Sequence, residues 1–278
     1  RALESTARNW ALYPPEHPYS WTAIGSEADL NAASLADVKT WFADNYGAAN
    51  VVLVIAGDVQ PEEIKQKVAH YFGDIAPGPV RKRQDDWVNP LRSDKRVSIQ
   101  DRVPQARVMK AWNVPGYCDS DNILMQIAGD ILADGKNSRL YQRLVYKDQS
   151  ATSVSVGMYP YEIGTPWVID AMVKPGGDPA QVEKAINEEV ARFLREGPTA
   201  DELKRLKTKY FARWIRSLEN IDGFSGKSSI LAHYQVYCGS ADNYQGELAA
   251  LKKAGAREVR ATAQKWLSHG SLTLNVEP

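Results

Sequence analysis

Residues 38–55 read VKTWFADNYGAANVVLVI and residues 259–276 read VRATAQKWLSHGSLTLNV. Laid on one another from Val38 and Val259, both resolve into the same three parts. Each is an amphipathic helix carrying a tryptophan (Trp41, Trp266), then a short turn containing glycine (Gly47, Gly270), then a valine- and leucine-rich strand. The echo is one of pattern rather than of identity. A helix–turn–strand unit that recurs implies two domains of similar fold, the first represented by its end and the second complete.

Working outward from these units, Ser34 caps the first helix and Asp37 stands in its first turn. Val51–Ala56 then reads as a fully buried strand, closed by the Gly57-Asp58 turn. Pro61-Glu62-Glu63 opens another helix in the favoured order of proline, then acids. From Ala76 to Lys95 the periodicity stops in favour of prolines and clustered charges, the signature of a linker. Strands resume near Arg96–Gln100 and Ala106–Asn113, and Ser120 reads as the cap of the next helix. Val154, Val156 and Met158 alternate, as do Trp167, Ile169, Ala171 and Val173, around the turn-rich YPYEIGT, giving an antiparallel pair. Helices follow around Val182–Phe193, behind a Thr199/Glu202 capping box, from about Phe224 to Tyr237, and from about Tyr244 to Trp266 with a break at Gly255. The expected class is α+β, an antiparallel sheet with helices packed on one face. The expected division is residues 1–75 as the end of a first domain, 76–95 as linker and 96–278 as a second domain. Arg1–Leu12 reads as the tail of an amphipathic helix, as if the chain were cut from something longer.

Composition narrows the function classes. The chain has 278 residues, 44% of them apolar, enough for a real core. Lys+Arg and Asp+Glu both number 34, so no global field draws in nucleic acid. No apolar run is long enough to span a bilayer. Cys118 and Cys238 admit one disulfide or none, and the compartment stays open between bacterial periplasm and cytoplasm.

No catalytic constellation is complete. Tyr13-Pro14-Pro15-Glu16-His17 ends like the zinc-peptidase motif His-x-x-Glu-His. Tyr13 replaces the first histidine, however, and two prolines preclude the helix that would present the ligands. His17, His70, His233 and His269 have no partner at metal-ligand spacing and read as surface or partly packed residues. Gly226-Lys227-Ser228 lacks the glycine a phosphate loop needs at position 221, which is Ile221, and reads as a helix start. Ser228 or Ser229 with His233 has no nucleophile elbow. Glu4, a conceivable carboxylate ligand, reads as solvent-facing. Catalytic, cofactor and metal residues are therefore none.

The run HPYSWTAIGSEADLNAASLADVKTWFADNYGAANVVLVIAGDVQPEE, His17 to Glu63, resembles the pitrilysin/insulinase family of zinc peptidases. The shared points are His17-Pro18-Tyr19, Ile24-Gly25, Asn45-Tyr46, Asn50 and Gly57-Asp58. Ser138–Thr152 is similar to the family's non-catalytic second domain. The resemblance implies repeated α+β domains enclosing a chamber that degrades peptides, with zinc held by an inverted motif that precedes the His-Pro-Tyr loop. Zinc is then a cofactor of the full-length parent and not of this chain. The implied partners are peptide substrates and the remaining domains of the parent or a partner subunit. The family's substrate-polarising Arg and Tyr fall, in this frame, on Val145 and Thr152, neither of which can stabilise an oxyanion. The alternatives are a core-protein-like structural subunit of the same fold, or a peptide-binding module.

The ligand spacing makes one direct prediction: the chain purified at neutral pH holds no stoichiometric zinc. Elemental analysis finding one tightly held zinc per chain would contradict it and would direct attention to Glu4 and His17.

Overall fold

The computed structural model describes residues 2–159, 161–221 and 226–278. Arg1 and Phe224, which figured in two of the expected helices, lie outside them. The chain divides into two compact units. Arg1–Ala23, Asp86–Tyr210 and Glu247–Pro278 form one, and Ile24–Asp85 and Phe211–Gly246 form the other.

The first unit is built on a five-stranded mixed sheet in the order β1-β5-β2-β4-β3. The strands are β1 (Lys95–Gln100), β2 (Arg107–Val114), β3 (Ala151–Met158), β4 (Thr165–Val173) and β5 (Leu272–Glu277). β5 pairs in parallel with β1 and antiparallel with β2, and the β2–β4 and β4–β3 pairs are antiparallel. Side chains alternate between faces along each strand. On one face Trp167 is fully buried, gives its indole N–H to the Met125 carbonyl at 3.1 Å and meets Trp112 edge-on at 5.5 Å. Helix α5 (Ser120–Ala133) lies over this pair. It comes close because Gly129 has no side chain: a Cβ there would sit 3.1 Å from the Trp167 indole nitrogen. Asp119, one residue before the expected cap Ser120, caps it by accepting the Asp121 N–H at 2.7 Å. A carboxylate next to the helix N-terminus is the better placed of the two. Helices α6 (Pro179–Glu196) and α10 (Ala256–Leu267) complete this layer.

The opposite face is covered differently. Helix α1 (Ala2–Leu12) and the following Tyr13 pack Leu12 and Tyr13 onto Leu91, Met109, Ala111, Val168, Leu272 and Leu274. The last carbonyls of α1 are satisfied by side chains: Lys95 reaches Ala11, and Asn89 and Asn113 both donate to Leu12. α1 contacts β1 and β5, and the sheet toward β4 and β3 is left open. In the expected linker, no helix or strand precedes Lys95 apart from one bridge between Leu91 and Gly270.

The second unit contains α2 (Glu27–Ala32), α3 (Leu35–Asn45), α4 (Pro61–Phe72) and α8 (Lys227–Cys238), and α9 (Asn243–Lys253) begins within it. Ser34 caps α3 with a full capping box to Asp37, as its sequence predicts. Val51–Ala56 departs from expectation, for it belongs to no ladder. The backbone at Val51 is extended (φ −112°, ψ 134°), but no strand runs beside it among the described residues. Strand propensity supplies the conformation; only a neighbour supplies the hydrogen bonds.

The two echoed stretches therefore differ in strand pairing and, with it, in burial. In α10 and β5, Val259, Ala263, Leu267, Leu272, Leu274 and Val276 are all buried, none above 5% exposed. The matching Val38, Phe42, Tyr46, Val51, Leu53 and Ile55 are 44–62% exposed. Neither Cys118 nor Cys238 is a free thiol.

The family-like segment Ser138–Thr152 serves packing here. Leu140 and Leu144 are fully buried, and Tyr141–Lys147 forms a π-helical turn. Arg139 donates twice to Glu202, both at 2.8 Å, and once to the Gly197 carbonyl, over the Phe193 ring. This clamps the turn between α6 and α7 (Ala200–Ser217). The turn itself needs Gly197, whose φ is +72°. Burial pushes the Glu202 carboxyl up, but hydrogen bonds from Arg139 and the Thr199 N–H outweigh it and hold the pKa below the usual value. Arg139→Met is expected to destabilise this unit by about 3 kcal/mol at neutral pH, because it strands a buried carboxylate. A group with a depressed folded pKa stabilises above its unfolded pKa and loses that contribution as pH falls. The deficit should therefore shrink on acidification through the carboxylate range. Urea titrations of both proteins at several pH values check this; a deficit independent of pH would contradict it.

Candidate functional site

The open part of the sheet forms a cleft of about 980 Å³. Alternation sets its floor: Arg107 and Met109 from β2, Val168, Asp170 and Met172 from β4, and Val276 from β5. Ser153, Ser155 and Gly157 of β3 continue the same face, and Tyr159 follows directly after that strand. Glu4, Ser5 and Arg8 of α1 form the opposite wall, with Val103–Gln105 closing one end.

A charged triad holds α1 to the sheet. Arg107 forks onto both oxygens of Asp170, the Nε bond being 2.7 Å, and gives Nη1 to Glu4 at 2.7 Å. Hydrogen bonding to Asp170 leads in raising the arginine's pKa against the opposing effect of burial. The expectation that Glu4 faces solvent is corrected: it is 8% exposed, buried because it has an arginine to pair with. β3 is the sheet's edge, paired only with β4. Its sequence, ATSVSVGM, has none of the lysines or prolines that usually guard an edge.

His17 is likewise not a surface residue. It is fully buried, stacked on Tyr13 with ring centroids 4.3 Å apart and tilted against Trp87 at 4.5 Å. Tyr19 N–H donates to Nδ1 at 3.0 Å, so the proton sits on Nε2, which donates to the Trp87 carbonyl at 2.9 Å. Burial holds its pKa below the ordinary histidine value. With both ring nitrogens engaged, His17 has no lone pair to offer a metal. His70 and His269 are exposed on separate segments, and His233 lies on α8. Gly226 starts α8, and Ser228 donates its hydroxyl to the Ile221 carbonyl at 3.1 Å, a helix-start turn. Val145 sits in the π-helical turn, and Thr152 is exposed on β3, where it accepts from Gln105 at 3.1 Å.

Zinc does not fit these residues. The cleft has no histidine or cysteine, and among the described residues no group of three or more His, Cys, Asp or Glu could hold a metal ion. What the cleft offers instead is an unguarded strand edge, a half-apolar floor and fixed charges. These are the requirements for holding an extended chain by its main-chain groups. Sequence reasoning missed the triad, since Glu4, Arg107 and Asp170 meet only through the tertiary fold. The small polar residues of β3 were the signal for the edge.

The family model described as "Peptidase M16 inactive domain" matches residues 32–210. The Helicobacter pylori protein named "Zinc protease PqqE" is 25% identical over 233 residues, 79% of this chain and 50% of that protein. The mitochondrial-processing peptidase subunit beta of Blastocladiella emersonii is 25% identical over 42% of this chain and 25% of its own length. The chain thus spans half or less of the curated relatives it matches. A peptidase M16 inactive domain from Pseudomonas fluorescens shares the fold with a TM-score of 0.86 at 20% identity, covering 99% of this chain and 65% of that one. A protease structure from Helicobacter pylori gives 0.82 at 19% identity, covering 94% and 63%. With a match across well over half its residues, and with no zinc-peptidase motif in its sequence, the chain belongs to the peptidase M16 family as an inactive-domain member related to zinc proteases.

Proposed function

We propose that the chain is the non-catalytic part of a zinc-dependent endopeptidase that degrades peptides in an enclosed chamber. Residues 24–75 end a catalytic-type domain, 76–95 link, and the sheet-bearing unit, to which Arg1–Ala23 also belongs, forms a wall domain. One observation carries the reading: the same helix–turn–strand unit is enclosed in α10 and β5 and bare in α3 and Val51–Ala56. The bare copy borders an apolar groove of about 540 Å³, lined by Leu53, Ile55, Ile64, Val68 and Phe72 among others. Covering such side chains stabilises by roughly 1.5–3 kcal/mol each. A monomeric surface rarely leaves that many together without a partner. The partner that fits is the rest of a domain like the first unit: one strand parallel to Val51–Ala56 and one antiparallel, as β1 and β2 flank β5.

The wall domain brings no chemistry of its own. Val145 and Thr152 stand where the family's Arg and Tyr would polarise the substrate, so that pair comes from another domain or a partner subunit. Its contribution is to line the chamber with the cleft beside β3, where an extended peptide adds a strand with little sequence preference. The engaged cysteines fit an oxidising compartment such as the periplasm.

Alone, the chain should cleave no unstructured peptide, since neither a metal site nor its general base is encoded. Joined to a domain carrying the inverted motif and to a source of the Arg/Tyr pair, it should give a chelator-sensitive endopeptidase. Replacing the motif's glutamate by glutamine should abolish turnover and leave zinc bound. An assembly that binds zinc yet cleaves nothing in a broad peptide library would replace this reading with that of a structural subunit.

A further inference from the structure

Arg8 is a charged residue of the cleft that takes no part in the Arg107 triad. It is 8% exposed and lines the cleft from α1. Its guanidinium has only long contacts to neutral oxygens: Asn9 Oδ1 at 3.3 and 3.4 Å and the Tyr159 hydroxyl at 3.5 Å. Among the described residues no carboxylate lies within 4 Å of it. Arg107, in the same cleft, holds two, and the partly buried Arg139 holds one in a fork. A charge withdrawn from water is costly unless paired. The Arg8 Cζ lies over the Tyr159 ring, 5.1 Å from its centroid. That contact recovers part of the cost by electrostatic attraction to the ring. It also leaves the edge N–H groups poorly used, in the arrangement that takes a carboxylate through two parallel hydrogen bonds.

We propose that Arg8 anchors a carboxylate of an extended peptide lying in the cleft beside β3. The proposal rests on the peptide-binding reading of the cleft and adds to it both a chemical requirement and a direction. Tyr159 follows the last residue of β3, so Arg8 marks the end toward which β3 runs. A peptide anchored there by its C-terminal carboxylate adds to β3 in parallel. An aspartate or glutamate side chain can reach the same fork from either strand direction. Both sources present one chemistry, a planar anion with two acceptor oxygens.

Isothermal titration calorimetry on the intact chain separates them with three short unstructured peptides. One has a free C-terminus and no acidic side chain, one is its C-terminal amide, and one is the amide with a single glutamate. The free acid should bind about tenfold more tightly than the plain amide. Arg8→Gln should bring acid and amide together, while Arg8→Lys should keep part of the preference. Circular dichroism and thermal melts confirm that each variant is folded. If the glutamate-bearing amide matches the free acid, the anchor takes side-chain carboxylates as well. Equal binding of all three peptides to the unmodified chain would overturn the anchor and leave the peptide-binding cleft standing, a comparison that needs no variant. A preference that survives Arg8→Gln would place the carboxylate on another group. Absence of binding by every peptide would overturn both the anchor and the cleft.

Discussion

A strand in a sheet interior must hydrogen-bond along both of its edges, and β5 is where this chain meets that demand. Leu272–Glu277 takes its parallel partner from β1 and its antiparallel partner from β2. The chain's last strand is thereby inserted between two that come more than 150 residues earlier. Everything else in the first unit is arranged around that insertion. Leu272 and Leu274 are closed over on the α1 side, Val276 continues that face into the cleft floor, and Thr273 faces Glu183 of α6 on the other side. The same backbone demand at Val51–Ala56 is unmet among the described residues.

The two faces of the sheet differ in how they are covered. The face under α5, α6 and α10 is close-packed and mostly apolar, with Trp167 at its centre. The other is covered by α1 over β5 and open over β4 and β3, and there the polar residues gather. Arg107, Glu4 and Asp170 neutralise one another where α1 meets the sheet. Such a triad fixes where the helix sits more than it adds to stability, because desolvation of the three charges offsets much of their attraction. Its effect is to hold one wall of the cleft at a set distance from the edge strand.

The helices were legible from the chain itself because their signals are local. Ser34 with Asp37, Thr199 with Glu202, and Pro61 ahead of two glutamates are caps and starts that need only a few neighbours. The strands of the first unit were legible from alternation, and β2, β3 and β4 lie where Ala106–Asn113, Val154–Met158 and Trp167–Val173 placed them. Their order was not, for no local pattern says that β5 enters between β1 and β2. Val51–Ala56 failed as a strand for the same reason: periodicity reports a preference, and pairing is a property of distant segments. Burial of polar residues was the other blind spot. Composition makes a lone glutamate or histidine a surface residue by default. Glu4 and His17 are buried because Arg107, Tyr19 and Trp87 supply hydrogen bonds from up to about a hundred residues away.

The proposed function requires Val51–Ala56 to be a sheet strand whose neighbours lie outside this chain. Amide hydrogen exchange measures that directly. In the chain by itself, amides of Val51–Ala56 should exchange nearly unprotected while those of Leu272–Val276 are among the slowest. Adding a domain with the inverted zinc motif should raise the first group toward the second. Protection of Val51–Ala56 at the level of β5 in the chain alone, or no gain in protection within an assembly that cleaves peptides, would contradict the claim.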